Sequence, residues 1–111
     1  MYFFRDIVEP FRDTAIYYTE GSRTDNGTGG AVVHEGRTTI IPLPAEASSY
    51  TAEITSINKA LEIHLSEGDS RHITICTDSL SSIQALGNPF SLDPEVVAIF
   101  EKSYELSLRG V

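Results

Sequence analysis

Ile73-Thr74-Ile75-Cys76-Thr77-Asp78-Ser79-Leu80-Ser81-Ser82-Ile83-Gln84-Ala85-Leu86 changes its hydrophobic period half-way along. Ile73–Thr77 is short, β-branched and apolar on alternate sides, the pattern of a strand. Past Asp78, Leu80, Ile83 and Leu86 recur every third residue, the pattern of a helix. Asp78 or Ser79 can accept from the N–H groups that a first helical turn leaves unpaired. Asp78 thus stands at the carboxyl end of a strand where a helix begins, and in open α/β sheets that rim is where ligands bind. Two roles are open to it: helix cap, or side chain facing a ligand.

Upstream of this unit the chain reads as three strands and a long helix. Thr14–Thr19 is rich in β formers and Glu20-Gly21-Ser22 ends it. Arg23–Gly30 contains the turn signal Asp25-Asn26-Gly27. It lacks the three glycines of a dinucleotide fingerprint and the carboxylates of a calcium loop, so it reads as a glycine-rich turn. Ala31–His34 and Thr38–Leu43 form a hairpin through Gly36, with His34 expected in solvent beside the turn. Pro42 and Pro44 place the later strand at an edge. Ser48–Leu65 is the clearest helix, capped by Ser48 or Ser49, with Ile54, Ile57, Leu61 and Leu65 as its apolar stripe. Glu53 lies one step to the side of that stripe, near the positive end of the helix dipole; His64 shares that edge and is expected to be partly buried. Glu53 is either a boundary residue that the dipole favours or a carboxylate aimed along the sheet rim.

A strand–helix–strand order demands a right-handed crossover, so Ile73–Thr77 should run parallel to an earlier strand. Gly87-Asn88-Pro89 stops the short helix, and Asp93-Pro94-Glu95 opens a last one whose buried face reads as Val96, Val97, Phe100, Tyr104 and Leu108. Residues 1–13, interrupted by Pro10, read as a lead-in to a single domain over 14–111.

A formal net charge of −8 argues against a strong basic nucleic-acid footprint on this chain. The single cysteine, Cys76, cannot form an internal disulfide and lies mid-strand, as a buried thiol does. Met-Tyr-Phe-Phe is followed at once by Arg5 and Asp6, too short an apolar run for a signal peptide or a membrane span, so an intracellular setting without membrane association is expected.

Glu20 after the first strand, Glu53 at the start of the long helix and Asp78 after the fourth strand could share one end of one sheet. Clustered carboxylates repel one another unless cations hold them, and hard oxygen ligands suit Mg²⁺ or Mn²⁺. Tyr18-Thr19-Glu20-Gly21-Ser22, Tyr50-Thr51-Ala52-Glu53 and Thr77-Asp78-Ser79-Leu80-Ser81 carry a resemblance to the ribonuclease H fold. They are most similar to the ribonuclease H domains of non-LTR retrotransposon polyproteins, and the match runs from about Thr14 to Val111.

The resemblance implies an α/β domain with a mixed sheet: three antiparallel strands, a helix, a parallel strand and two helices. It implies metal-dependent hydrolysis of the RNA strand of RNA–DNA hybrids, with Glu20, Glu53 and Asp78 as catalytic metal ligands and Gly21, Ser22 and Ser79 beside the nucleic-acid backbone. An adjoining reverse transcriptase is the partner it implies. Two departures stand out. The family has Asp where this chain has Glu20, and it continues past Val111 with a fifth strand, a histidine-bearing loop and a helix carrying a fourth acidic residue. From the missing fifth strand, Ile73–Thr77 is expected to be an open edge through which copies self-associate. A non-catalytic retrotransposon-derived remnant or binding module is therefore the competing reading. A flavodoxin-like nucleotide-binding domain fits less well, because the start is antiparallel and no phosphate loop is present.

Overall fold

The computed structural model describes residues 2–4, 14–88 and 90–111. Five strands and three helices follow one another: β1 (Tyr2–Phe4), β2 (Thr14–Thr24), β3 (Gly27–His34), β4 (Arg37–Leu43), α1 (Ser49–Glu67), β5 (His72–Cys76), α2 (Leu80–Leu86) and α3 (Pro94–Leu108). The strands make one mixed sheet in the order β1-β5-β2-β3-β4. β2, β3 and β4 form an antiparallel meander, and β5 runs parallel to β2 with Tyr18 opposite Cys76. The expected mixed α/β architecture and the parallel placement of the strand over Ile73–Thr77 are both present, and Pro42 lies on the outer strand, where a missing N–H costs no ladder bond.

β2 is longer than its sequence implied. Glu20-Gly21-Ser22 does not end it; pairing continues to Thr24, opposite Gly27. The glycines at 29 and 30, expected in a turn, lie in β3. Packing explains both. A Cβ on Gly21 would stand 2.5 Å from the Glu53 nitrogen and 2.6 Å from the Ala52 carbonyl carbon, and one on Gly30 would stand 2.1 Å from Ser56 Oγ. The first turns of α1 sit directly on backbone there, and only glycine leaves the room.

α1 keeps the stripe its sequence predicts. Ser48 caps it, accepting from the Thr51 N–H, and Ile54, Ile57 and Leu61 are buried against Ala15, Tyr17, Val32, Ile73 and Ile75. Two histidines depart from expectation. His34 is only 4% exposed because strand alternation turns it to the α1 side, where its ring stacks on Tyr17 with centroids 3.8 Å apart. His64 is wholly buried, between the Tyr17 hydroxyl at 3.1 Å and the Arg71 carbonyl at 2.9 Å. Since a carbonyl can only accept, Nε2 of His64 carries the proton and its Nδ1 accepts from Tyr17.

The two later helices also differ from their sequence pattern. α2 turns Ser82 inward, held by Ser79 Oγ at 2.7 Å, and leaves Leu80 exposed. α3 buries Val96, Ile99 and Leu106, whereas Tyr104 and Leu108 face solvent. Asn58 of α1 fixes that rotation: it donates to Glu95 Oε2 at 2.9 Å and accepts from Lys102 Nζ at 2.6 Å, so the Glu95–Lys102 face meets α1.

The expected open edge at Ile73–Thr77 is corrected. β1 pairs with β5 in parallel, Tyr2 opposite Thr74 and Phe4 opposite Cys76, so β5 lies inside the sheet and its central residues are buried on both faces. Part of the lead-in is therefore structural; Met1, residues 5–13 and Pro89 lie outside the described residues.

Gly21→Ala should cost about 1–3 kcal/mol through overpacking, read as a lower urea midpoint at unchanged slope. Deleting residues 1–4 should uncover the β5 edge and shift sedimentation towards larger species than the whole chain gives.

Candidate active site

Continuing the β2–β5 register by two residues sets Glu20, inside β2, level with Asp78, two residues past the carboxyl end of β5. Both residues are exposed. Asp78 is not the helix cap: Ser79 is, accepting from the Ser82 N–H at 3.2 Å, while the Ser79 N–H itself donates to Thr77 Oγ1 at 3.1 Å. The ambiguity left by the sequence is resolved, and the Asp78 carboxylate is spared from capping.

Glu53 reaches the same end of the sheet from α1, and its position follows from the glycine contact. Ser56 Oγ, one turn on, donates within 3.0 Å of the Glu20 carbonyl and 2.8 Å of the Ala52 carbonyl, tying α1 to β2 at this level. Glu53 is 8% exposed, and its Oε2 is buried without a hydrogen-bond partner. Burial pushes its carboxyl above the usual carboxylate range; the Gly21 backbone opposes this, the Asp78 and Glu20 charges add to it, and the Thr77 hydroxyl pulls it back. The three acidic side chains therefore share one end of the sheet, and Glu53 feels the charge of the other two. Among the described residues, however, no three His, Cys, Asp or Glu side chains are grouped tightly enough to enclose a metal ion. Alternation along β2 accounts for the spread: Ala15, Tyr17 and Thr19 are buried towards α1, which puts Glu20 on the opposite face.

Gly21 lies beneath the Ala52–Glu53 backbone, Ser22 is exposed opposite Gly29, and Ser79 is half-buried at the start of α2. Sequence reasoning missed Ser56 and Thr77. Ser56 carries no motif; only the contact between α1 and the hairpin gives it a task. Thr77 belongs to the quoted strand, and its next-but-one N–H partner is a local turn pattern that Thr followed by Asp-Ser permits.

The other end of the sheet is polar in a different way. Arg71 donates to Asp69 Oδ2 at 2.6 Å and Glu35 Oε1 at 2.8 Å. The Arg71 hydrogen bonds hold the Asp69 carboxyl down at about 2. A cavity of about 240 Å³ lined by His34, Arg37, Ser66 and Glu67 opens there, at the far end of α1 from Glu53.

The RNase H family model matches residues 12–92, the span holding all three carboxylates. The chain belongs to the RNase H family. Among solved structures it is similar to RNase H1 from the halophilic archaeon Halobacterium salinarum NRC-1, at 20% identity and a TM-score of 0.58, covering 86% of this chain and 78% of that one. It is also similar to the N-terminal RNase H domain of Rv2228c from Mycobacterium tuberculosis, solved as a fusion with maltose-binding protein, at 14% identity and a TM-score of 0.59, covering 86% and 75%. Comparison with curated proteins gave no match. At these identities the two structures establish an RNase H fold, and no described helix is long and apolar enough to cross a membrane.

Because Glu53 ionises at a cost in the folded protein, its contribution to stability is complete at low pH and is lost as pH rises through its raised folded value. In EDTA, Glu53→Gln should therefore be more stable than the parent chain at pH 7, the difference shrinking towards pH 4. Denaturant titration at the two pH values checks this.

Proposed function

We propose that this RNase H domain hydrolyses the RNA strand of RNA–DNA hybrids with the help of a divalent cation, Mg²⁺ or Mn²⁺. The observation that carries the reading is Glu53: a carboxylate oxygen buried without a partner, on a side chain that feels the charges of Asp78 and Glu20. A protein that buries an ionisable oxygen unpaired leaves a large desolvation cost standing, and a cation supplies the missing interaction. Hard carboxylate oxygens suit Mg²⁺ and Mn²⁺. Glu20, Glu53 and Asp78 are the residues that would hold the ion, with side-chain movement of the exposed pair around the buried one. When bound, such an ion lowers the pKa of a water and stabilises charge on the leaving oxygen.

The chain's own residues do the rest. The α1–β2 contact fixes Glu53, and Ser79 caps α2 so that Asp78 stays available. Gly21, Ser22 and Ser79 border the same rim and face the substrate backbone in this reading. Discrimination of RNA from DNA rests on the 2′-hydroxyl.

Glu20 stands where family members have Asp. The extra methylene displaces the carboxylate by about a bond length, more than the ~0.5 Å that such sites tolerate. This favours a slow enzyme and gives weight to a second reading, a hybrid-binding domain that has lost its chemistry. The Thr-Ala-Glu and Thr-Asp-Ser-Leu-Ser segments further point to the retrotransposon type, with an adjoining reverse transcriptase delivering the hybrid inside the cell.

A labelled RNA–DNA hybrid with Mg²⁺ or Mn²⁺ tests the reading. Cleavage should be slow in the parent chain and rise about ten- to a hundredfold in Glu20→Asp, the scale of a misplaced group restored. It should fall in Asp78→Asn by more than the roughly 10–100-fold that loss of a supporting residue costs. Mn²⁺ should also raise the melting temperature of the parent chain and not that of Glu53→Gln. Cleavage that persists in Asp78→Asn would remove Asp78 from the site, whereas its absence from both the parent chain and Glu20→Asp in Mn²⁺ would establish the non-catalytic reading.

A further inference from the structure

The described cations are almost all spoken for. Arg37 pairs with Glu67, Lys59 with Glu62, Arg71 with Asp69 and Glu35, and Arg109 with Glu105, while Lys102 donates to Asn58. Arg23 is the one described lysine or arginine whose side chain has no hydrogen-bond or ion-pair partner, and it is exposed. It sits on β2 three residues past Glu20, about 10 Å along extended chain, opposite Thr28 in the hairpin. Alternation places it on the side of Gly21, the side on which α1 begins. There it lines an open groove of about 440 Å³ with Thr24, Asp25, Gly27 and Ala45, the last from the segment leading into α1.

We propose that Arg23 is a phosphate-binding residue that holds the nucleic-acid backbone in this groove while the neighbouring part of the strand lies at the carboxylates. This rests on the hybrid-hydrolysing reading and extends it to a named contact. A chain of net charge −8 whose rim carries Glu20, Glu53 and Asp78 repels a polyanion at close range. Repulsion between exposed groups fades over a Debye length of roughly 8–10 Å, so a cation at Arg23's distance acts on a phosphate that the carboxylates repel only weakly. A guanidinium held by no carboxylate presents its full fork of donors, the geometry that matches a phosphate in two parallel hydrogen bonds. Asp25 lines the same groove and sets a limit: it disfavours a second phosphate beyond the first, so the assignment is one contact and not a track.

Binding of a fluorescent RNA–DNA hybrid in EDTA, followed from 50 to 200 mM KCl, decides the matter. Loss of one phosphate contact lowers the slope of log affinity against log salt by about one. Arg23→Gln should show that drop and bind several-fold more weakly at 50 mM, Arg23→Lys should recover most of the slope, and Lys59→Gln, which removes a charge from the outer side of α1, should match the parent chain. If the parent binds and Arg23→Gln keeps the same slope and affinity as Lys59→Gln, the Arg23 assignment is wrong and the hydrolase reading stands. If the parent shows no salt-dependent binding to the hybrid and no cleavage in Mn²⁺, the functional reading itself fails and Arg23 falls with it.

Discussion

Everything at the carboxyl ends of the strands depends on how closely α1 approaches the β2–β3 hairpin. Gly21 and Gly30 carry no side chain where the Ala52–Ser56 turn descends, and Ser56 fastens the two together through the Glu20 carbonyl. The contact tolerates little adjustment: a methyl group on Gly21 would meet the Ala52–Glu53 main chain and the Ala52 Cβ, none of which can swing aside. Glu53 is consequently held in a buried position that its charge disfavours. The same contact that makes the helix fit makes the carboxylate costly, and stability and chemistry are coupled at one point of the fold.

The carboxylates themselves are arranged unequally. Glu53 is fixed and buried, whereas Glu20 and Asp78 are exposed, with room to move. On the proposed reading, such a division lets one carboxylate set the location of a cation while the other two adapt to it. It also places Glu20 at an exposed position, where its side chain can change rotamer without unfolding anything.

The strands, α1 and the strand–Asp–helix unit were legible in the sequence because each carries a strong local pattern: alternation in Thr14–Thr19, the Ile54/Ile57/Leu61 stripe, the change of period at Asp78. The candidate carboxylates were legible only through their places at element ends and a family likeness. What escaped was tertiary. Gly29 and Gly30 look like turn residues until a helix is laid on them. His34 looks like a hairpin's exposed shoulder until Tyr17 is seen beneath it. The rotation of α3 is set by Asn58, a polar residue that no hydrophobic pattern records, and so Tyr104 and Leu108 were assigned to the wrong face. The spread of Glu20 and Glu53 to opposite sides of β2 follows from strand parity, and parity is readable only once the strand is known to run on to Thr24.

β1 precedes its partner in the chain by a long interval. Its ladder partners are Thr74 to Cys76, so on a ribosome Tyr2–Phe4 must wait until β5 has emerged before its neighbour exists. Contacts of such long range enter late, because chain entropy is spent before they form. The meander and α1 close on local contacts well before that, leaving β5 with one flank bare for an interval during synthesis. Nascent chains crowded on one message would meet each other through that flank, which makes Tyr2–Phe4 a determinant of yield rather than of turnover.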